Sequence, residues 1–167
     1  ANKEDFIALM ARLEKEGVGG LWGAFIMPDA GDSTRNAVWI GQGGISLPDE
    51  AYYREDVHAP VREAYVAHIN TMARLAQATG VDGQSILALE TEIASHHWDV
   101  VKSREVSLIY NKMPFTDLED KYGHCLWQTW RDGVELPAAH STEIIVAGLE
   151  TFELRRPELR PDQSVIA

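Results

Sequence analysis

Only one cysteine, Cys125, occurs in the 167 residues. No internal disulfide can form, which excludes a disulfide-stapled design, and a cysteine-rich zinc site is excluded with it. Cys125 sits beside Leu126 and Trp127 and reads as a small core residue rather than a nucleophile. Positive charge is also scarce. The 15 Lys and Arg against 26 Asp and Glu leave a net charge of -11. Such a surface repels nucleic-acid backbones and anionic membranes, and no basic run offsets it, so a nucleic-acid role is discounted. No apolar run approaches the ~20 residues that span a bilayer. The opening residues Asn2, Lys3, Glu4 and Asp5 lead into a helical pattern rather than a signal peptide. Nothing in the sequence selects a compartment.

What is present is an ordinary globular composition. Hydrophobic residues make up 45% and charged residues 25%, so disorder is not the default reading. The length favours one domain, with two small subdomains possible. Phe6, Leu9, Met10 and Leu13 recur at helical spacing, and Gly17, Gly19 and Gly20 stop that helix. The run Leu21–Met27 reads as a buried strand and Ala37–Ile40 as a second. Together they predict a hairpin over about 21–40, with a longish polar loop from Pro28 to Asn36. A helical pair follows over about 60–99. In its first helix Val61, Tyr65, His68, Met72, Leu75 and Thr79 share one stripe. Its second runs from Gln84 to Trp98, with Asp82 as N-cap, and buries Ile86, Leu89, Ile93 and His97. Short helices and one strand fill about 106–156. Val106–Lys112 continues helical, Phe115–Tyr122 and Cys125–Arg131 are helices, Glu143–Leu149 is a β-branched strand, and Thr151 starts a helical turn. The fold class is therefore mostly α with a small β-hairpin or sheet, α+β.

The candidate chemistry is thin. A zinc protease helix of the H-E-x-x-H type sets two histidines one turn apart, with a glutamate between them to hold the water. No histidine here is followed by glutamate. Glu92 and His96 form an i, i+4 pair that suits a metal, but a third ligand is not evident, and adjacent His96 and His97 point about 100° apart. Glu90 and Glu92 face different ways as a carboxylate pair. The glycine-rich Gly41–Gly44 lacks the ending of a phosphate loop, and Asp29, Asp32 and Asn36 miss calcium-loop spacing. Ser33, Ser95 and Ser107 lie in no G-x-S-x-G elbow. Trp127 and Trp130, three apart on one helix face, read as core, or alternatively as a contact surface. The second reading makes the chain a stand-alone acidic helical protein-interaction module.

Four segments carry a resemblance. Gly41-Gln-Gly-Gly-Ile-Ser-Leu-Pro-Asp49 followed by Tyr52-Tyr53 resembles the G-L-G-L-P-x-x-x-Y-Y segment of the neprilysin and endothelin-converting-enzyme family, with Ile45 and Ser46 where that family usually shows Leu and Gly. Ala64–Ile69 resembles the helix that follows, Leu87–Ala94 the A-L-E-x-x-[IL]-A helix, and Tyr110-Asn-Lys-Met113 the Y-N-K-M signature. The resemblance runs in order from about Gly17 to Pro161. It implies a piece of the N-terminal, non-catalytic helical cap lobe of a zinc metalloendopeptidase, over residues 1–167 and from a bacterial parent. In that family the lobe forms the wall and access filter of a chamber for peptides. The zinc ligands belong to downstream motifs. The resemblance therefore implies no catalytic or metal residue and no cofactor in this chain, zinc in the parent, and as partners the catalytic lobe and the parent's peptide substrates. It also marks Gly43, Gly44, Leu47, Pro48, Tyr52, Tyr53, Tyr65, Leu89, Glu90, Tyr110, Asn111, Lys112 and Met113 as structural motif residues. Pro48 and the glycines fix the exit from the hairpin, Tyr52 and Tyr53 bury rings with paired hydroxyls, and Asn111 holds a turn.

Overall fold

The computed structural model describes residues 2–122, 124–137 and 142–148. In chain order the elements are α1 (Lys3–Lys15), β1 (Trp22–Asp29), β2 (Asp32–Gln42), α2 (Ala51–Arg54), α3 (Ala59–Leu75), α4 (Gly83–Ala94), α5 (Val106–Ile109), β3 (Asn111–Pro114), α6 (Phe115–Tyr122), α7 (His124–Gly133) and β4 (Glu143–Val146). Helix dominates and the strands form one small sheet, as the α+β reading expects. The chain divides into two compact units: Gly44–Arg104, and the discontinuous remainder on either side of it.

The discontinuous unit is built on the sheet, ordered β1-β2-β4-β3. β1 and β2 pair antiparallel from Trp22↔Gln42 to Pro28↔Asn36, β2 and β4 pair parallel, and β3 and β4 pair antiparallel. Alternate residues share a face, so Val38, Ile40, Ile144 and Val146 line one side. They pack there with Ile7, Met10 and Ala11 of α1, Phe115 and Leu118 of α6, and Trp127 and Trp130 of α7. Helix α1 starts where it does because Asn2 and Asp5 form a capping box, with Asp5 N–H donating to Asn2 Oδ1 at 2.8 Å and Asn2 N–H to Asp5 Oδ2 at 3.2 Å. Trp22 meets Trp127 at a tilt and Trp130 edge-on, with ring centroids at 4.5 and 6.1 Å.

The structure departs from two expectations here. The hairpin has no long loop: both strands run on and turn through Ala30 and Gly31 alone. Asp29 Oδ1 accepts the Gly31 N–H at 2.8 Å, and Asp32 Oδ1 accepts from Thr34 N and Oγ1, so short polar side chains pin a tight turn. Val106–Lys112 is not one helix. It stops after four residues, because Asn111 Nδ2 donates both to Leu108 O at 2.7 Å and to Val146 O at 2.9 Å. The first bond closes the turn and the second draws the chain onto β4. Strand β4 ends at Val146, short of the expected Leu149, because the chain bends at Ala147 and Gly148; Leu149 itself and the turn at Thr151 lie outside the described residues.

In the continuous unit, Asp82 caps α4 as expected, accepting from Ser85 N at 2.8 Å. The helix ends at Ala94 rather than Trp98. Its last bonds tighten to His96 N–H→Ile93 O and His97 N–H→Ala94 O, a 3₁₀-like close. Helices α3 and α4 pack together, through a stripe that keeps Tyr65 of the predicted one and Ile69 beside it but not its C-terminal half. Tyr65, Val66, Ile69 and Ala73 are half-buried, while Met72 and Leu75 are exposed, Leu75 at 63%. On α4 the buried residues are Gly83, Leu87, Glu90 and Ala94, and Leu89 is 62% exposed. Glu90 explains the rotation: a carboxylate is drawn inward, and its neighbour, about 100° round the helix, turns out. Among the described residues no helix is long and apolar enough to cross a membrane.

Candidate functional site

Six of the thirteen motif residues, Leu47, Tyr53, Tyr65, Glu90, Tyr110 and Lys112, meet in two saturated polar knots, one in each unit. The first surrounds Glu90. Tyr53 Oη donates to Glu90 Oε2 at 2.7 Å, Tyr65 Oη to Oε1 at 2.9 Å, and Ser46 Oγ to Oε1 at 2.8 Å. Ser46 N–H reaches Oε2 at 3.4 Å. The Tyr53 hydroxyl also accepts the N–H groups of Ser46 and Leu47 at 3.0 and 2.9 Å. One helix thus supplies the acceptor, two others supply ring hydroxyls, and the loop after the glycines supplies backbone donors. Burial, and then the bond to Glu90, push the Tyr53 phenol well above its ordinary value, and burial raises Tyr65 as well. Both phenols therefore stay protonated and act as donors to the carboxylate.

The glycines before this knot serve geometry. Gly44 holds φ +83°, and a Cβ on Gly43 falls 2.8 Å from the Trp22 carbonyl carbon, so both positions need a residue without a side chain. No phosphate cradle is needed to explain them. Tyr52 does not join the knot, and the paired hydroxyl expected of it is not found among the described residues. Its ring stacks on His58 at 4.0 Å, and its carbonyl accepts from Arg62. Leu89 points away, and Pro48 is exposed.

The second knot surrounds Asp29, which is buried at the hairpin turn. Tyr110 Oη donates to Asp29 Oδ1 at 2.6 Å and Lys112 Nζ to Oδ2 at 2.9 Å, beside the Gly31 N–H bond. Lys112 also meets Glu143 at 3.3 Å. Three residues of Tyr110-Asn-Lys-Met113 therefore make specific bonds, and Met113 packs on the core. The hydrogen bond from Tyr110, then that from Lys112, hold the Asp29 carboxyl far below the usual carboxylate range, and the same bonds raise Tyr110 and Lys112. A depressed folded-state pKa gives stability that is complete above the unfolded value of about 3.9 and is lost as pH falls below it. The denaturation midpoint should therefore fall as pH drops through about 4. Asp29→Asn should start lower at neutral pH and flatten that fall. Urea midpoints of the two proteins from pH 7 to pH 3 check this.

Sequence reading missed two members of these knots. Ser46 entered as a departure from a motif, although a hydroxyl in that loop is a candidate partner for any carboxylate brought near it. Asp29 entered as a calcium candidate; only the pairing of β1, β2, β4 and β3 shows it across the sheet from Tyr110 and Lys112. Neither knot fits a metal, since each carboxylate already accepts from several donors. Glu92 and His96 do meet, at 3.5 Å, but they remain two groups. Among the described residues no three of His, Cys, Asp and Glu are placed to hold an ion. The residues present do not fit a zinc site. Trp127 and Trp130 are buried in the core, so they form no contact patch.

Residues 1–154 match the N-terminal model of Peptidase family M13. Membrane metallo-endopeptidase-like 1 of Mus musculus is 26% identical over 146 residues, which is 77% of this chain and 19% of that protein. Endothelin-converting enzyme-like 1 of Rattus norvegicus is 29% identical over 113 residues, 64% of this chain and 14% of that protein. Among solved structures, the Mycobacterium tuberculosis zinc metalloprotease Zmp1 in complex with inhibitor superposes with a TM-score of 0.80 at 34% identity, over 92% of this chain and 24% of that one. PepO from Lactobacillus rhamnosis, at 17% identity and a TM-score of 0.60, shares the fold. The chain thus spans about a quarter or less of the length of these relatives.

Proposed function

The chain belongs to peptidase family M13, and from that membership we propose that it serves as a non-catalytic segment of the N-terminal lobe of a zinc metalloendopeptidase. In this reading it forms part of the wall and access filter of a chamber for oligopeptides. The observation that carries the reading is the match to the family's N-terminal model along 1–154. The two knots support it: Glu90, Tyr53, Tyr65, Tyr110 and Lys112 are already engaged in holding loops, strands and helices together. The exposed apolar residues Met72, Leu75 and Leu89 also support it, since such residues suit contact with further protein. Zinc and the peptide bond are then handled by another lobe of the parent chain. The interaction-module alternative rested on an exposed Trp127–Trp130 patch and loses its basis with their burial. A direct comparison tests the proposal. A polypeptide that continues into an H-E-x-x-H lobe should hydrolyse a short quenched-fluorescent peptide, and the 167 residues alone should not. Equal hydrolysis by the two would overturn it.

A further inference from the structure

Two neighbouring strands of the sheet differ in length, and the difference leaves a notch. β2 has eleven residues and β4 has four, and their pairing starts only at Val38↔Ile144. A cavity of about 270 Å³ lies where β4 begins. Ile26, Val38 and Ile144 give it an apolar wall, and Asp29, Arg35, Lys112 and Glu143 a charged one. The charged wall holds two groups of each sign, so it is electrically balanced. Two of the four are not used up on each other. Lys112 meets Asp29 at 2.9 Å and Glu143 Oε2 at 3.3 Å, which draws Glu143 toward β3 and away from β2. Glu143 Oε1 has no partner among the described residues, and the side chain is 49% exposed. Arg35 is exposed and makes no hydrogen bond or ion pair among them. Asp32, close enough to feel its charge, bonds Thr34 instead.

We propose that this notch binds a free α-amino acid with an aliphatic side chain, its carboxylate on Arg35 and its ammonium on Glu143 Oε1. Continuing the β2–β4 register sets Glu143 beside Ala37, two residues from Arg35. A strand separation of about 4.8 Å and about 6.6 Å for two residues along a strand put the two Cα atoms roughly 8 Å apart. Ala37, which also lines the cavity, carries only a methyl group and leaves the space between the opposite charges open. A guanidinium matches a carboxylate through two parallel N–H···O bonds. The Asn36 amide and the Thr142 hydroxyl line the same cavity, and neither side chain is hydrogen-bonded among the described residues. The aliphatic group of the ligand covers Ile26, which is 69% exposed. A balanced lining favours a ligand that carries both charges, because an anion alone leaves Glu143 unanswered and a cation alone leaves Arg35 so. The volume falls just below the roughly 300 Å³ at which drug-sized pockets begin, which suits a single amino acid. The site borders the Asp29 knot without using its carboxylate, and it does not rest on the peptidase reading.

The test titrates the whole chain, ¹⁵N-labelled and at neutral pH, with L-leucine. The amide resonances of Val38, Thr142, Glu143 and Ile144 and the side-chain Nε–H of Arg35 are expected to shift together and to saturate. N-acetyl-leucine lacks the ammonium and leucinamide lacks the carboxylate. Each should bind roughly tenfold more weakly, the loss of one charge-assisted contact. Glycine, which keeps both charges but has no side chain, should also bind more weakly than leucine. Arg35→Gln is expected to weaken leucine binding by a similar factor with the melting temperature unchanged, since the position is exposed. The ligand series reads the same contacts in the unaltered chain. Absence of shifts up to tens of millimolar leucine overturns the proposal. So does equal binding of N-acetyl-leucine or leucinamide, which shows that one of the two charges is not read, and so does unweakened binding by Arg35→Gln.

Discussion

Replacing Glu90 by alanine is expected to destabilise the Gly44–Arg104 unit by about 3–5 kcal/mol, because it removes one acceptor from four donors at once. Tyr53, Tyr65 and Ser46 lose the oxygen they point at, and hydrogen bonds to a charged group are each worth about 1.5–3 kcal/mol, with losses that do not simply add. Water can reach Ser46, which is partly exposed, and so recovers some of the loss there. It cannot easily reach Tyr53, which is 5% exposed. Glu90→Gln should cost less, about 1–3 kcal/mol. The amide keeps one acceptor oxygen, and a hydroxyl can rotate to accept from the new NH₂, although the backbone N–H of Ser46 cannot. Hydrogen exchange of the α4 amides, read beside urea unfolding, gives both numbers. A loss below 1 kcal/mol for Glu90→Ala would show that the knot does not hold this unit together.

Trp130→Ala is expected to cost about 3–5 kcal/mol in the sheet-based unit. Trp130 is 1% exposed, lies at 5.9 Å from Trp127 and 6.1 Å from Trp22 between ring centroids, and donates its Nε1–H to Glu14 at 2.7 Å. Truncation leaves a cavity where three rings meet and strips a part-buried carboxylate of its donor. Trp130→Phe separates the two losses, since it keeps most of the ring packing and removes only the N–H. Leu89→Ala is the contrast: an apolar residue of the helical pair, exposed, whose loss should stay within about 0.5 kcal/mol. Equilibrium urea unfolding of the three variants checks the ranking. Similar losses for Leu89→Ala and Trp130→Ala would mean that the buried faces have been assigned wrongly.

These two residues also show what was legible in the sequence. Trp130 was readable as core, because three-residue spacing to Trp127 on a helix leaves both rings on one face. Helix α1, the first two strands, the cap at Asp82 and the short helix at Phe115 were legible for the same kind of reason, local periodicity with a local stop. Leu89 was not. Its spacing with Ile86 and Ile93 suits a buried stripe, and only the pull of Tyr53, Tyr65 and Ser46 on Glu90 turns the helix the other way. The strand at Asn111 was hidden likewise, since its reason is a bond to Val146 across 35 positions. The motif residues were recognisable as a set, but their partners Ser46 and Asp29 were not. Those contacts belong to tertiary structure, where polar satisfaction overrides pattern.

The motif carboxylates and hydroxyls have an architectural role: groups that resemble catalytic equipment are spent on one another. Zinc occupancy of the purified 167-residue protein tests this most directly, by equilibrium dialysis against micromolar zinc followed by elemental analysis. The predicted result is no stoichiometric metal, with no peptide cleavage before or after dialysis. One tightly held zinc per chain, accompanied by cleavage that a chelator abolishes and added zinc restores, would contradict it.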